Sequence, residues 1–490
     1  MSDLAEELQP EGWYRFVVEP RRPASIRRRP NAYWLAVAAV CVGAFMGQLD
    51  ASIVTVALPT LQRTFHASVG AVTWVGLSYL LVLVATVAAV GRFADMWGRM
   101  LLYVYGFAVF IIGSALCGFA PSLGALIGFR AFQALGAALL QANSVAIIVL
   151  AVPKVSLGRA IGIQGAAQAI GLALGPSVGG FLLAAAGWRL IFLVNVPFGL
   201  VGMAAGLLLV PRSQHLQERV RFDWFGLALF FPAVVALFSA ISFGNSKGWT
   251  SPLILGLFGL GLCLLGGFLV REHRCAEPML DLALFRRARF SAGISSGMLS
   301  YLVMFGVLFL VPFYLERAVG LGSARVGLEL MIMPLALGVV APLSGRLADR
   351  LGARPLTIGG MALVAGGLTA LALLRPPTAL FLALLALIGA GLGAFTPPNN
   401  AAIMGSVPEQ QSGLASGVLN MSRGMGTSLG LALTGLVFDV AGGRDVLPAS
   451  VDHAFSVAAV FLAAVAVVAG VIAGLRESGP LADAATYQAE

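Results

Sequence analysis

The chain has 490 residues, of which 59% are hydrophobic and 11% are charged, and its formal net charge is +9. A soluble protein carries about 25% charged residues, so this composition excludes an ordinary soluble domain. Lys and Arg concentrate in the predicted inner loops. The positive charge therefore indicates how the chain is oriented in a membrane, and no nucleic-acid partner is expected.

Apolar stretches of about 18 residues or more predict membrane-spanning helices, and this chain has enough for fourteen, in the order six, two and six. The uncharged stretch Met100 to Phe129 contains a turn at Pro121-Ser122, so it holds the third helix and the start of the fourth, which continues to about Val152. The other predicted helices cover 33–59, 70–90, 160–187, 190–210, 224–244, 252–270, 290–315, 326–345, 355–374, 378–404, 413–438 and 454–475.

This order predicts an all-α integral membrane protein with two six-helix bundles related by a pseudo-two-fold axis. The predicted divisions are a tail at 1–32, an N-terminal bundle at 33–211, two additional helices with their loops at 212–289, a C-terminal bundle at 290–475 and a tail at 476–490. The first apolar stretch is too long for a signal peptide, so it is expected to remain as the first helix. Both tails are expected in the cytoplasm, with the bundles in the inner (plasma) membrane.

The first predicted helix contains a single charged residue. Asp50 lies about 26 Å along that helix from Tyr33 at 1.5 Å per residue, which places it in the outer half of the membrane. A carboxylate at this depth is costly and normally faces a cavity, and loss of water favours its protonated form. Asp50 is therefore predicted to be protonatable near neutral pH and to have a functional role. The alternative is a hydrogen-bonded packing residue.

A charged, glycine-containing segment occurs twice, each time after the second helix of a six-helix block. The first copy is Gly91-Arg-Phe-Ala-Asp-Met-Trp-Gly-Arg99 and the second is Gly345-Arg-Leu-Ala-Asp-Arg-Leu-Gly-Ala-Arg354. Such a repeat indicates two related halves, and a pathway between two halves can open to one side at a time.

Both copies are expected to form loops at the membrane surface. Gly91 and Gly98 would permit tight turns, Asp95 and Arg99 would share one face of a helical turn, and Asp95 could accept hydrogen bonds from a neighbouring helix N-terminus. A surface turn that only sets orientation is the alternative. Two copies at equivalent places favour a conformational role, which would extend to the second copy at Gly345, Asp349 and Gly352.

The fourth and fifth predicted helices each contain an unusual motif. Arg130 lies inside the fourth helix and needs a partner or a water-filled cavity, and Gln133 shares its face. In the fifth helix, Pro176 should cause a kink. Three glycines four residues apart form a smooth face for close packing, and packing is a stronger explanation than substrate contact. The residues of this motif are Gly171, Gly175, Pro176, Gly179 and Gly180.

Four further polar side chains could line a cavity between helices, namely Gln133, Gln164, Gln168 and Arg423. Asn195 is expected only to shape the turn between the fifth and sixth helices. The chain has no phosphate-binding Gly-Lys-Ser/Thr loop and no Cys/His cluster with metal-ligand spacing, so neither ATP, a metal nor another cofactor is expected.

Together, these motifs resemble the major facilitator superfamily and in particular its fourteen-helix drug:proton antiporters. The repeated segment is similar to the superfamily's signature between helices 2 and 3, with Met96 and Met100 in place of basic residues. Arg130 to Gly136 is similar to the family's Arg-x-x-Gln-Gly motif, and Gly171 to Gly180 is similar to the antiporter motif of exporters. The resemblance extends from about Tyr33 to Leu475.

The resemblance implies a transporter, not an enzyme. It implies proton-coupled export of amphipathic, cationic small molecules by alternating access, with Asp50 as the coupling acid and Arg130 influencing proton transfer. The expected partners are a small-molecule substrate, protons and membrane lipids, and the protein is expected to be a monomer. Two alternatives stay open: an uptake symporter, and a lipid-handling or regulatory membrane protein of the same fold.

Overall fold

The computed structural model describes residues 19, 22–27, 29, 31–67, 69–213, 223–275, 282–321, 323–374, 377–408, 411–443 and 448–475. Within these ranges the chain is almost entirely helical and contains no strand. The tail predicted at 476–490 and most of the tail predicted at 1–32 lie outside the described residues.

Fourteen helical segments follow one another in the predicted order. Thirteen of those in the described ranges are long and apolar enough to cross a membrane, and the bent fifth segment raises the number to fourteen. They are α1 (Ala32–Thr64), α2 (Val69–Trp97), α3 (Arg99–Gly118), α4 (Leu123–Ala151), α5 (Leu157–Ala186), α6 (Trp188–Leu193 and Asn195–Leu209), α7 (Trp224–Lys247), α8 (Pro252–Arg274), α9 (Ala288–Arg317), α10 (Ser323–Leu330 and Ile332–Leu351), α11 (Ala353–Leu374), α12 (Thr378–Met404), α13 (Ser412–Phe438) and α14 (Pro448–Gly474).

Two predicted helices are interrupted. The sixth was expected to be continuous from 190 to 210, but α6 is divided at Val194, and α10 is divided at Met331. The bend expected in the fifth helix is present, because α5 turns by 45° between Gly175 and Ser177. Pro176 at this position lacks the backbone N–H that a straight helix would use.

The two copies of the repeated segment are helical over most of their length, which corrects the expectation of surface loops. Helix α2 continues to Trp97 and α10 continues to Leu351, so both aspartates lie in the last turns of helices. Only Gly98 (φ +109°) and Gly352 (φ +81°) adopt the left-handed backbone that ends each helix. The first glycine of each copy therefore has another use.

Those first glycines allow helices of opposite halves to touch. A Cβ atom on Gly91 would collide with the carbonyl oxygen of Gly413, and one on Gly345 would collide with the carbonyl oxygen of Gly158. Helix α2 thus packs on α13, and α10 packs on α5. The second helix of each half contacts the fifth helix of the other, as a pseudo-two-fold axis requires. We call the side that carries both contacts the loop side.

Helices α7 and α8 form a hairpin beside the two bundles, and α7 packs against α2 and α13. The Trp74 and Phe243 rings lie 5.0 Å apart at this contact. Asp223 caps α7 by accepting from the amide of Gly226 at 2.9 Å, and Arg271 of α8 donates to the same carboxylate at 2.8 Å. Burial opposes ionisation of Asp223, but these hydrogen bonds outweigh it and lower the pKa of the carboxyl.

The Asp223–Arg271 pair makes the hairpin sensitive to pH. We expect Arg271→Gln to lower the midpoint of thermal unfolding slightly at pH 7, because the exposure of the arginine limits what the pair contributes. Since the folded-state pKa of Asp223 is depressed, the contribution of the pair is present above the carboxyl's unfolded pKa and is lost as pH falls through the folded value. The difference between wild type and variant should therefore disappear in acid. Lys247→Gln, at the exposed far end of α7, is the matched control, and equal losses in both variants would contradict this role.

Candidate functional site

Asp50 lies at a point where α1, α3, α4 and α6 meet, and its side chain is fully buried. Arg130 Nη1 donates to Asp50 Oδ2 at 2.7 Å. Gln133 Nε2 and Asn195 Nδ2 donate to Asp50 Oδ1 at 3.2 and 2.7 Å. Each carboxylate oxygen is therefore hydrogen-bonded, which is the condition for burying a charge.

Arg130 is held from several directions and is only 1% exposed. Its Nε donates to the carbonyl of Val75 at 3.2 Å, its Nη1 also donates to Gln133 Oε1 at 2.7 Å, and its guanidinium lies 4.2 Å from the centroid of the Tyr79 ring. The pair of opposite charges is thus enclosed by protein and is neutral as a unit. Removing either charge would leave the other buried without compensation, which costs about 3–5 kcal/mol.

Asn195 is the member of the Asp50 network that sequence reasoning missed. It begins the second part of α6, where the helix is interrupted, and from there its amide reaches Asp50 and also Ser114 Oγ at 3.1 Å. The sequence predicted only that Asn195 shapes the turn between the fifth and sixth helices. An amide inside an apolar stretch needs a partner in the membrane, and this was the signal that could have found it.

The glycine face of α5 packs on the part of α1 that carries Asp50. A Cβ on Gly171 would lie 2.5 Å from the carbonyl oxygen of Phe45, and one on Gly175 would collide with Ser52 Oγ. Gly179 meets Ile53 in the same way, whereas Gly180 faces open space. The packing interpretation of this motif therefore describes the observed contacts, and those contacts hold the backbone on both sides of Asp50.

A partly open cavity lies between the two halves. It is lined from α1, α5, α9, α10 and α12, and the described residues that line it include no carboxylate and no Lys or Arg. Its hydrogen-bonding side chains are Gln48, Gln168, Ser300, Tyr301 and Thr396.

The expected cavity residues separate into different environments. Gln168 lines the cavity, but Gln133 belongs to the Asp50 network and Gln164 donates to Ser144 Oγ at 3.3 Å. Arg423 lies behind the cavity wall, with its guanidinium 5.4 Å from the ring centroid of Tyr301. Asp50 was expected to face a cavity and does not, because three donor groups enclose its fully buried carboxylate.

On the loop side, the aspartate of each repeated segment caps a helix of the other half. Asp95 accepts from the amides of Gly413 and Leu414 at 2.8 and 2.9 Å, at the first turn of α13. The expectation that Asp95 accepts from a helix N-terminus is confirmed by these contacts. Arg99 Nη2 donates to the same carboxylate at 2.5 Å, so the expected pairing of these two residues is present as well.

The second copy makes the equivalent contact with fewer charges. Asp349 accepts from the amides of Gly158 and Arg159 at 2.7 and 3.1 Å, at the first turn of α5. Ala353 occupies the place that corresponds to Arg99, so the second copy has no arginine at that position. The two caps therefore join the halves through equivalent pairs of helix amides, and the first cap has an arginine on its carboxylate as well.

Comparison with known proteins agrees with this architecture. The family described as Major Facilitator Superfamily matches residues 40–280 and 293–486. The chain therefore belongs to the major facilitator superfamily and is a multi-pass membrane transporter.

Two relatives illustrate the range of cargo among similar proteins. The chain is 35% identical to a riboflavin transporter of Clostridioides difficile, over 81% of this chain and 87% of that protein. It is also 35% identical to a multidrug resistance protein of Mycobacterium tuberculosis, over 82% of this chain and 75% of that protein. The fold is similar to that of the human organic anion transporter MFSD10, with a TM-score of 0.66 and 14% identity over 91% of this chain and 100% of that one.

The glycine contacts give a prediction with an internal control. Gly175→Ala should destabilise the α1–α5 contact by about 1–3 kcal/mol, because overpacking forces helices apart. Transport should fall with it, because the backbone beside Asp50 would move. Gly180→Ala, in the same motif but facing open space, should leave both thermal stability and transport close to wild type. Equal effects of the two substitutions would contradict the packing role.

Proposed function

We propose that the protein exports amphipathic small molecules in exchange for protons by alternating access. The observation that carries this proposal is the buried Asp50–Arg130 pair, whose carboxylate lies on the helix that also contributes Gln48 to a cavity between the halves. Gln48 lines the cavity two residues before Asp50 on the same helix, so a change around the carboxylate can reach the cavity through one turn of α1.

Coupling requires that a proton favour one state of the transporter over the other. Protonation of Asp50 removes the negative half of the ion pair and leaves Arg130 buried with an amide, a carbonyl and an aromatic ring as partners. That arrangement is costly, so protonation favours a state in which Arg130 has other surroundings. A net charge of one also responds to the membrane potential, by about 2.3 kcal/mol per 100 mV.

The caps formed by Asp95 and Asp349 would control the second part of the cycle, which is opening and closing on the loop side. The loop side faces the cytoplasm in this proposal, so the two caps hold a state that is closed to the cytoplasm. Substrate can enter from the cytoplasm only after both carboxylates leave the helix N-termini of the opposite half. Conformational roles for Gly91, Gly98, Arg99, Gly345 and Gly352 follow, since these residues allow the close approach or hold the caps.

Export is supported by the fifth-helix motif, which resembles that of exporters, and by similarity to a multidrug resistance protein. The proposal places the protein in the inner membrane as a monomer, with both termini in the cytoplasm and lipids around it. The expectation of a cationic substrate stays a prediction, because no carboxylate is among the described residues that line the cavity. Neutral amides and hydroxyls there would suit any amphipathic molecule that offers hydrogen-bonding groups.

The coupling role of Asp50 can be tested with one substitution. A growth screen of overexpressing cells against toxic compounds selects a substrate, and its transport is then followed in everted vesicles with an imposed pH gradient. We expect Asp50→Asn to reduce gradient-driven transport about tenfold, since the coupling free energy is lost. Glu316→Gln, which changes an exposed carboxylate outside the network, should behave like wild type.

Two outcomes would overturn the proposal in different ways. If Asp50→Asn transports with unchanged pH dependence, Asp50 is not the coupling acid. If intact cells accumulate the selected compound when the protein is overexpressed, the direction is inward and the protein is a symporter.

The cavity can be tested with two glutamines one turn apart. Gln168 lines the cavity, whereas Gln164 is bonded to Ser144 inside the bundle. We expect Gln168→Ala to change the apparent affinity for the selected substrate about three- to tenfold, the value of one hydrogen bond, and to change the preference among substrates. Gln164→Ala should lower stability without changing that preference. A preference altered equally by both would place the substrate elsewhere.

A further inference from the structure

The first turn of α3 begins at Arg99 and has amide groups that no residue of its own helix can satisfy. These amides find partners from two remote segments. The amide of Arg99 donates to Ser213 Oγ at 2.9 Å, and the amides of Met100 and Leu101 donate to Glu19 Oε1 at 3.0 and 3.2 Å. Glu19 precedes α1 and Ser213 follows α6, so the ends of the first six-helix block meet at this turn.

Glu19 and Ser213 also bind each other. Ser213 Oγ donates to Glu19 Oε1 at 2.8 Å, and the amide of Ser213 donates to Glu19 Oε2. Glu19 is 6% exposed, so its carboxylate is a buried charge that four donor groups surround. A carboxylate at a helix N-terminus is also favoured by the helix dipole.

Gly98 leaves room for the contact between Glu19 and the first turn of α3. A Cβ atom on Gly98 would lie 2.5 Å from Glu19 Oε1, so the absence of a side chain makes room for the carboxylate. Gly352, at the same place in the second copy, has open space around its Cβ position. The contact with Glu19 is therefore a feature of the first copy and is not required by the turn itself.

These bonds connect the N-terminal segment to the cap between the halves. Glu19 accepts a hydrogen bond from Ser213 Oγ, and Ser213 Oγ accepts one from the backbone amide of Arg99. The side chain of Arg99 in turn donates to Asp95 at 3.0 and 2.5 Å. Asp95 in turn accepts from the amide of Gly413 in the other half. A continuous chain of hydrogen bonds thus runs from a residue before the first membrane helix to α13.

We propose that Glu19 is a positioning residue for the Asp95 cap and that it favours the state closed on the loop side. It acts by fixing the turn at Gly98, which sets where Arg99 and therefore Asp95 are placed. This inference rests on the proposed alternating access. It assigns a conformational role to the segment before α1, which the transport motifs do not include.

The test measures opening of the loop side directly. Ser416 is fully buried on α13, one turn beyond the residues that Asp95 caps. In full-length protein whose four native cysteines are replaced by alanine, Ser416→Cys reports opening through its rate of reaction with N-ethylmaleimide. We expect Glu19→Ala to raise this rate at least about threefold, the effect of losing one or more charge-assisted hydrogen bonds. Glu19→Gln should give a smaller increase, because its amide keeps one acceptor oxygen.

Three comparisons separate positioning from loss of structure. Asp95→Asn should raise the rate as well, and adding Glu19→Ala to it should raise the rate little further, since both act on one cap. Glu316→Gln should leave the rate unchanged. A Cys at Thr434, which is fully buried elsewhere on α13, should stay slow in every variant, because only global unfolding would expose it.

The outcomes distinguish the inference from the proposed function. If Asp95→Asn raises the rate and Glu19→Ala does not, or if the two effects add in full, Glu19 does not act through Asp95 and the inference is wrong. If Asp95→Asn itself leaves the rate unchanged, the Asp95 cap does not hold the loop side closed. That result would overturn both this inference and the proposal that the Asp95 cap holds the state closed to the cytoplasm. The coupling role of Asp50 would still stand.

Discussion

Burying a carboxylate in a membrane protein is expensive, and four carboxylates of the described residues, three of them buried and one half-buried, have donors at both oxygens. Asp50 is paired with an arginine inside one half. Asp95 and Asp349 use the free amides at the start of a helix in the opposite half. Glu19 uses the free amides of α3 in its own half. Helix N-termini are well suited to this purpose, because their amides are already oriented and lack partners within the helix.

The location of each donor set determines what its carboxylate can do. In the proposed cycle, donors in the same half move together with the carboxylate when the halves rock, so Glu19 favours the closed state only through the turn that places Arg99 and Asp95. In the proposed cycle, donors in the opposite half are lost when the loop side opens, and Asp95 and Asp349 would therefore respond to the state of the transporter. Asp50 differs again, because its strongest donor is the positively charged guanidinium of Arg130. Protonation of Asp50 leaves that positive charge uncompensated. The hairpin of α7 and α8 lies beside the two bundles, and α7 packs against both α2 and α13.

Much of the fold could be predicted from the chain alone, because apolar stretches and a duplicated segment depend on local composition. The number of helices, the bend at Pro176 and the acceptance of helix amides by Asp95 followed from such local rules. The partners of Asp50 and of the first turn of α3 could not be predicted in this way, because they are distant in the chain. Asn195 is 145 residues from Asp50, and Glu19 is 81 residues from Met100. The repeated segments were expected to be loops because charge and glycine suggest turns, but packing between halves keeps them helical up to Gly98 and Gly352.

The claim that Asp50 takes up the coupled proton can be measured without knowing the substrate. Infrared difference spectroscopy during acid titration of the purified protein detects the stretch of a protonated carboxyl group. Among the carboxyl bands that titrate in the wild type, our account expects one that is absent from Asp50→Asn and retained in Glu316→Gln. Identical carboxyl bands in wild type and Asp50→Asn would mean that Asp50 stays paired with Arg130 at every pH tested, and the proposed coupling would be wrong.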